Sequence, residues 1–143
     1  MKGILLGIII IVISGCSPVY IKEVGEGKEV TYLQDRNGIK YEVNSDVGFT
    51  GKYVKYWTNG RKKIEWNYKD GELDGLLTNW YENGQKKEEL NYKDDKKEGL
   101  HTKWYENGQK KGEGHYKVGK KEGHWTFWHE NGQKFNELNL KNG

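Results

Sequence analysis

The sequence predicts an all-β fold, an elongated antiparallel β-meander of tandem β-hairpin repeats of about 24 residues that follows an N-terminal signal segment. Three observations predict it. Gly51, Gly75, Gly99 and Gly123 follow one another at intervals of 24 residues, and similar residues follow each of them. An Asn-Gly pair lies inside every unit. The runs on either side of that pair are rich in aromatic and β-branched residues, which favour strands.

The Asn-Gly pairs indicate hairpin turns, because both residues tolerate positive φ. The pairs are Asn59-Gly60, Asn83-Gly84, Asn107-Gly108 and Asn131-Gly132. A second turn, at Asp70-Gly71 in one unit and Val118-Gly119 in another, completes two strands per repeat. We therefore expect a continuous meander with units at 51–74, 75–98, 99–122 and 123–143.

Aromatic residues recur at one position of each strand, and we interpret them as a structural ladder that forms the core. The ladder comprises Tyr56, Trp80, Trp104 and Trp128 on first strands, and Tyr68, Tyr92 and Tyr116 on second strands. For both sets to share a face, the hairpin loop must hold an odd number of residues, since a slip of one residue turns a set to the opposite face. A three-residue loop with a left-handed glycine meets this condition.

The aromatic residue after each of these first-strand positions points to the opposite face and is the candidate binding face. The row consists of Trp57, Tyr81, Tyr105 and His129. Aromatic faces can stack on sugar rings or on cations. Trp80, Trp104 and Trp128 are alternative ligand contacts if they are not simply the core. Charged residues also recur, and they predict a solvated outer face. They are Lys62, Lys86, Lys110 and Lys134 at one position and Glu65, Glu89, Glu113 and Glu137 at another.

The N-terminus resembles a bacterial lipoprotein leader. An apolar run, Ile4 to Ile13, is too short to span a bilayer as a helix, which needs about 20 residues, and fits a signal peptide over 1–15. The residues Ile13-Ser14-Gly15-Cys16 resemble a lipobox, so Cys16, the sole cysteine, is the predicted lipidation site. The alternative is an ordinary signal peptide or a short anchor with an incidental cysteine.

Lipidation at Cys16 implies attachment to a membrane of the bacterial cell envelope. The residue after the cysteine is Ser17, not Asp, which suggests the outer membrane in a Gram-negative organism. Residues 16–27 are then the lipidated cysteine and a tether. Residues 28–50 contain a displaced Asn-Gly and form a degenerate first repeat or cap, because terminal repeats are commonly atypical.

The repeated pattern G-x-x-x-x-W-Y-x-N-G-Q-x-K-x-E-x-x-Y-K-x-G resembles the MORN repeat variant of many bacterial proteins, some of them labelled YwqK-type antitoxin components. The resemblance covers residues 28–143. It implies a membrane-associating or protein-scaffolding module, and it brings no catalytic residues. A surface lipoprotein would not meet a cytoplasmic toxin. The predicted lipid anchor therefore argues against the antitoxin role.

These patterns favour a membrane-anchored, non-catalytic binding or scaffold module for a protein or envelope partner. The alternatives are an antitoxin or immunity component, or a module that binds cell-wall glycan or choline. An enzyme is not expected, and neither is a cofactor or a metal, because the four histidines occupy four different repeat positions. The net charge of +3 does not favour a nucleic-acid partner. The last strand, Lys134 to Lys141, is a free edge that could self-associate.

Overall fold

The computed structural model describes residues 8–11, 19–23, 28–30, 32–42 and 44–140, with side chains from Val30 onward. The predicted lipidation site Cys16 and most of the predicted signal peptide lie outside these residues. Val19–Glu23, within the predicted tether, is a strand. The proposed boundaries of signal, tether and repeats stay predictions.

Thirteen strands and no helix occur in the part of the chain that the structure describes. The strands are β1 (Ile8–Ile11), β2 (Val19–Glu23), β3 (Lys28–Val30), β4 (Gln34–Arg36), β5 (Ile39–Tyr41), β6 (Gly51–Tyr56), β7 (Lys62–Lys69), β8 (Glu72–Trp80), β9 (Lys86–Lys93), β10 (Lys96–Trp104), β11 (Lys110–Lys117), β12 (Lys120–Trp128) and β13 (Lys134–Leu140). The predicted all-β fold class is therefore confirmed.

Strands β6 to β13 form an eight-stranded antiparallel meander in which each strand pairs with the next. Strand β3 extends the same sheet by pairing in parallel with β6, and β2 and β1 follow beyond it. Strands β4 and β5 form a separate hairpin. The segment predicted as a degenerate repeat thus contributes one parallel strand and one small hairpin, and it does not continue the meander.

The first turn of each unit has the predicted three-residue loop. In the first unit, Trp57 N–H donates to Arg61 O at 2.8 Å, which leaves Thr58, Asn59 and Gly60 in the loop. Gly60 has φ of 81°, the left-handed conformation that a glycine adopts without steric cost. Asn59 Oδ1 accepts the Arg61 N–H at 3.0 Å and rigidifies the turn.

A bulge beside this turn corrects the predicted orientation of the aromatic ladder. Trp80 pairs with Lys86, whereas Asn79 pairs with Glu88, so Lys87 is an extra residue in β9. One extra residue reverses the alternation of side chains. Trp80 therefore lies on the opposite face from Tyr92, and the prediction that both share one face is wrong. The same bulge occurs in the other three hairpins, at Lys63, Lys111 and Phe135.

The sheet consequently has two distinct faces. The face that we call the capped face carries Tyr53, Trp66, Leu77 and Leu90, which neighbour one another across strands β6 to β9, and Trp125 on β12. The other, which we call the ladder face, carries the tryptophans Trp80, Trp104 and Trp128 together with rows of lysine, glutamate and threonine. Leu77 and Leu90 are buried on the capped face, so the apolar side of the sheet is this one.

Val30 and the segments 32–42 and 44–49 cover the capped face at the first unit. Val30, Phe49 and Tyr68 form a buried cluster, and the burial raises the pKa of the Tyr68 hydroxyl to about 12. The cap is fixed to the β7–β8 turn by hydrogen bonds from Lys40 N–H to Gly71 O and from Gly71 N–H to Phe49 O, both 2.9 Å. A Cβ at Gly71 would lie 2.3 Å from the Ile39 side chain, so only glycine fits there.

Candidate functional site

The ladder face presents a row of tryptophans that alternate with lysines. Trp104 lies opposite Lys110 on its own hairpin, and Lys86 Nζ of the preceding hairpin lies 5.9 Å from the centre of the Trp104 ring. The arrangement recurs between the other units as Lys62 with Trp80 at 6.0 Å and Lys110 with Trp128 at 5.9 Å. Successive indoles lie two strand spacings apart, with one strand between them, which corresponds to roughly 10 Å.

The lysines of this row are paired with carboxylates. Lys110 Nζ lies 2.6 Å from Glu113 Oε2, and Lys134 pairs with Glu137 at the same distance. Glu113 also accepts a hydrogen bond from Thr102 Oγ1 at 3.2 Å. Because every ammonium group has a carboxylate neighbour, the ladder face offers hydrogen-bond donors and acceptors while its net charge stays small.

Glutamate and threonine alternate strictly across the ladder face, from strand to strand. Each member of the row is the cross-strand partner of the next: Glu65, Thr78, Glu89, Thr102, Glu113, Thr126 and Glu137. Thr78 and Thr102 are buried between their neighbours. The row therefore forms a fixed polar strip beside the tryptophans.

Exposed leucines complete the ladder face. Leu76 and Leu100 keep 41% and 45% of their surface exposed, while Trp80, Trp104 and Trp128 are half-buried. A flat surface with half-exposed indoles, isolated leucines and paired charges can bind an extended partner through stacking and hydrogen bonds.

The row predicted as the binding face joins neighbouring units to one another. Tyr81 Oη donates to Trp104 O at 2.8 Å, and Tyr105 Oη donates to Trp128 O at 2.9 Å. Trp57 Nε1 donates to Trp80 O at 3.3 Å. Burial raises the pKa of the Tyr81 hydroxyl. The polar atoms of these three side chains are thus used within the sheet, and ligand binding by the row stays a prediction.

The last member of that row has a different environment. His129 is exposed, and its ring lies 4.6 Å from the ring of Phe135. Phe135 occupies the bulge position at which the other units have lysine. Lys63, Lys87 and Lys111 lie over the rings of Trp57, Tyr81 and Tyr105, respectively.

The turn asparagines also connect the units. Asn83 Nδ2 donates to Glu106 O at 2.8 Å, and Asn107 Nδ2 donates to Glu130 O at 2.8 Å. Each Asn therefore supports its own turn through Oδ1 and the next turn through Nδ2. The sequence predicted the turn itself from the φ preference of Asn-Gly, but neither hydrogen bond of the Asn side chain. The second bond depends on the spacing of adjacent hairpins and had no sequence signal.

Sequence reasoning missed two features of the ladder face, the lysine–tryptophan contacts between units and the threonine positions. The lysine position was identified as solvated surface, although the constant interval between Lys62 and Trp80 in every unit could have indicated a contact. Within the described residues, no group of His, Cys, Asp and Glu side chains could hold a metal ion. Nor does that part of the chain contain a helix with the length and apolarity of a membrane span.

The fold and its repeated faces define a tandem β-hairpin repeat protein. A family model described as the MORN repeat variant matches residues 49–70, 73–94, 97–117 and 121–142. These segments cover more than half of the chain, so the protein belongs to the MORN repeat variant family. Searches of curated proteins and of solved structures found no significant match. MORN repeats are in general binding or scaffold modules, and the family is generally non-catalytic.

Proposed function

We propose that this protein is a lipid-anchored, non-catalytic binding module of the bacterial cell envelope whose ladder face holds an extended protein or envelope partner. The observation that carries the proposal is the repeated lysine–tryptophan contact, which presents equivalent binding positions roughly 10 Å apart along one face. A partner that touches several units gains affinity from each of them.

The ladder face is favoured over the Trp57 row because its indoles have free polar atoms. Within the described part of the chain, the indole N–H groups of Trp80, Trp104 and Trp128 donate no hydrogen bond to the protein, and none of them is buried without a partner. They remain able to donate to a ligand. The Trp57 row uses its polar atoms to hold the units together.

The anchor rests on the sequence Ile13-Ser14-Gly15-Cys16 after an apolar run. With an acylated Cys16, the protein fractionates with membranes, and the partner lies in the same compartment. A Cys16→Ala variant is expected to leave the membrane fraction. Retention of this variant in the membrane fraction would contradict lipid anchoring without bearing on the ladder face.

Adjacent lysines provide a matched pair of variants for the binding surface. Lys62 and Lys86 lie on the ladder face, whereas Lys63 and Lys87 lie over the rings of Trp57 and Tyr81 on the opposite face. We compare two double variants, Lys62→Gln/Lys86→Gln and Lys63→Gln/Lys87→Gln. Each removes two positive charges by the same change of residue type. Only the first alters the proposed surface.

The experiment is a pull-down from native envelope with the full lipidated chain and these two double variants, with a Trp104→Leu variant in parallel. We expect the partner retained by wild type to be depleted in the Lys62/Lys86 and Trp104 variants and retained by the Lys63/Lys87 variant. Equal retention by all variants, with unchanged circular dichroism, would exclude the ladder face as the binding surface.

A further inference from the structure

The third unit departs from the repeat at two positions of the capped face. Gly112 stands where the other units have Ile64, Glu88 and Asn136, and Gly114 stands where they have Trp66, Leu90 and Leu138. Both glycines lie in the middle of β11 and have ordinary φ, so neither is required by a turn. The missing side chains leave space on the capped face.

The space above Gly112 is a groove of about 150 Å³. Trp125 from the fourth unit lies across Gly114, where a Cβ would come within 2.2 Å of its indole. Tyr116 meets Trp125 edge to face at a centroid distance of 5.2 Å, and Phe127 stacks beside Trp125 at 6.2 Å. Three aromatic rings thus line the groove around a backbone floor.

The charged residues that line the groove are all cationic. They are Lys103, Lys111 and Lys121. Lys103 lies 3.3 Å from Glu88. Within the described part of the chain, Lys111 and Lys121 have no carboxylate partner, and they lie over the rings of Tyr105 and Trp125 at 5.2 and 4.4 Å. The groove therefore has a positive rim with two unneutralised ammonium groups.

Two buried ring nitrogens at the groove have no hydrogen-bond partner in the described part of the chain. They are Nδ1 of His101 and Nε1 of Trp125, whose residues are only 5% and 4% exposed. His101 Nε2 is already paired with Glu88 Oε1 at 2.8 Å. Unpaired buried polar atoms are rare in folded proteins and mark places where a polar ligand group is stabilising.

We propose that this groove binds a small aromatic carboxylate, with the ring against Trp125, Tyr116 and Phe127 and the carboxylate toward Lys111 and Lys121. A cavity of about 150 Å³ accommodates one benzene ring. The rim attracts an anion because two of its ammonium groups lack a counter-charge. The site is independent of the ladder face, which lies on the other side of the sheet.

The test is an NMR titration of the full chain in a non-ionic detergent with benzoate, and with benzamide as the neutral analogue. We expect saturable shifts of the Gly112 and Gly114 amides with benzoate, and much weaker shifts with benzamide. The benzoate affinity falls as salt is raised, because the ammonium groups are partly exposed. The absence of saturable shifts, or equal affinity for both compounds, would overturn the proposal.

Two variants locate the site, and a third is the matched control. Lys111→Gln is expected to weaken benzoate binding about three- to fivefold. Gly112→Asn, the residue of the fourth unit, places its Cβ 3.2 Å from Phe127 Cδ1 and is expected to abolish binding by filling the groove. Lys87→Gln changes the equivalent lysine of the second unit, where Glu88 and Leu90 stand in place of Gly112 and Gly114, and is expected to leave the affinity unchanged. Equal losses in Lys87→Gln and Lys111→Gln would also overturn the proposal.

Discussion

At the scale of single residues, a few positions depart from the pattern of the repeat and carry either a strained backbone conformation or a pair of titratable groups. Val118 adopts φ of 48° at a turn position where the two preceding units have Asp70 and Asp94 in the same conformation. A β-branched residue is strained there, because its Cβ approaches the following carbonyl oxygen in the left-handed region. The third unit therefore folds despite an unfavourable turn residue.

Replacement of Val118 by Asn should relieve this strain. Asn tolerates the left-handed conformation, so we expect Val118→Asn to raise the free energy of unfolding by about 1 kcal/mol. Chemical denaturation of the full chain measures the change. Asp94→Asn, at the same position of the second unit, is the control and should change stability little. If Val118→Asn is no more stable than wild type, the backbone of Val118 is not strained.

The pair of Glu88 and His101 should make stability sensitive to acid. The hydrogen bond from His101 lowers the pKa of the Glu88 carboxyl to about 2, from a usual 4.5. A carboxylate with a lowered pKa stabilises the fold above pH about 4.5, and this contribution is lost as the pH falls toward about 2. We expect Glu88→Gln to reduce the loss of stability between pH 5 and pH 2 by about 1–2 kcal/mol, because solvent screens part of the interaction at this partly exposed carboxylate.

Denaturation curves at several pH values test this expectation. His101→Leu, which introduces the residue of the second unit, removes the hydrogen-bonded partner and should reduce the acid dependence in the same direction. An acid dependence identical to that of wild type in both variants would show that the pair does not set it.

At the scale of strands and turns, the one-residue bulge after each Asn-Gly turn decides which side chains meet. Without it, Trp80 would lie beside Leu90 and Tyr92, and the two faces would be mixed. With it, each adjacent lysine pair diverges, so that Lys86 reaches Trp104 and Lys87 reaches Tyr81. The separation of an apolar face from a polar face therefore depends on four bulge residues.

Deletion of a bulge residue should be far more harmful than its substitution. Removal of Lys87 shifts β9 by one position and turns Leu90 and Tyr92 to the ladder face. We expect the deletion to abolish cooperative unfolding of the second and third units, while Lys87→Gln unfolds like wild type. Circular dichroism in the near ultraviolet and thermal unfolding distinguish the two variants. A deletion variant that unfolds cooperatively would contradict this role of the bulge.

The turn asparagines allow the contribution of a contact between units to be measured. Asn107 and Asn131 accept the same hydrogen bond within their turns, but only Asn107 donates to a following unit, at Glu130 O. We expect Asn107→Ala to destabilise the protein by about 1 kcal/mol more than Asn131→Ala. Equal losses in the two variants, measured by chemical denaturation, would show that the bond between turns contributes nothing.

The sequence predicts the parts of this fold that depend on backbone preference. Gly60 and its equivalents have positive φ, whereas Asn59 and its equivalents do not, so the turn and its three-residue loop could be predicted from the glycine alone. The bulge at Lys87 could not, because two consecutive exposed lysines have no conformational signature. The parallel pairing of β3 with β6 was equally hidden, since it lies outside the repeat.

The candidate sites differ in the same way. The ladder-face tryptophans are visible in the sequence, but their face depends on the bulge, and so the prediction that they share a face with Tyr68, Tyr92 and Tyr116 is wrong. The groove had one local signal, Gly114 at a position where Trp66, Leu90 and Leu138 stand in the other units. Its lysines come from three strands, and their convergence requires the register of the sheet.

At the scale of the whole molecule, the described part of the meander has β13 at its edge. Among the described strands, β13 pairs with β12 alone. Within the described residues its outer edge has no partner strand, and Phe135 and Leu138 are 54% and 40% exposed. Such an edge is a template for pairing with another strand, so association of two chains through β13 is expected.

Light scattering of the full chain in detergent, over a range of concentrations, measures this association. Leu138→Lys places a charge on the edge and should shift the protein to monomer. Leu76→Lys is the matched control, since Leu76 is 41% exposed on an interior strand. A wild-type protein that stays monomeric at high concentration would argue against edge pairing, as would equal effects of the two variants.

The strand order has a mechanical consequence. From β7 to β12, every strand of the meander pairs with its two sequence neighbours, and the predicted tether would fix one end of the chain to a membrane. A force on the far end would break the hydrogen bonds of one hairpin after another, in sequence. The chain would lengthen in small steps, each unit releasing about 80 Å at full extension, and would act as a yielding spacer between the membrane and whatever it holds.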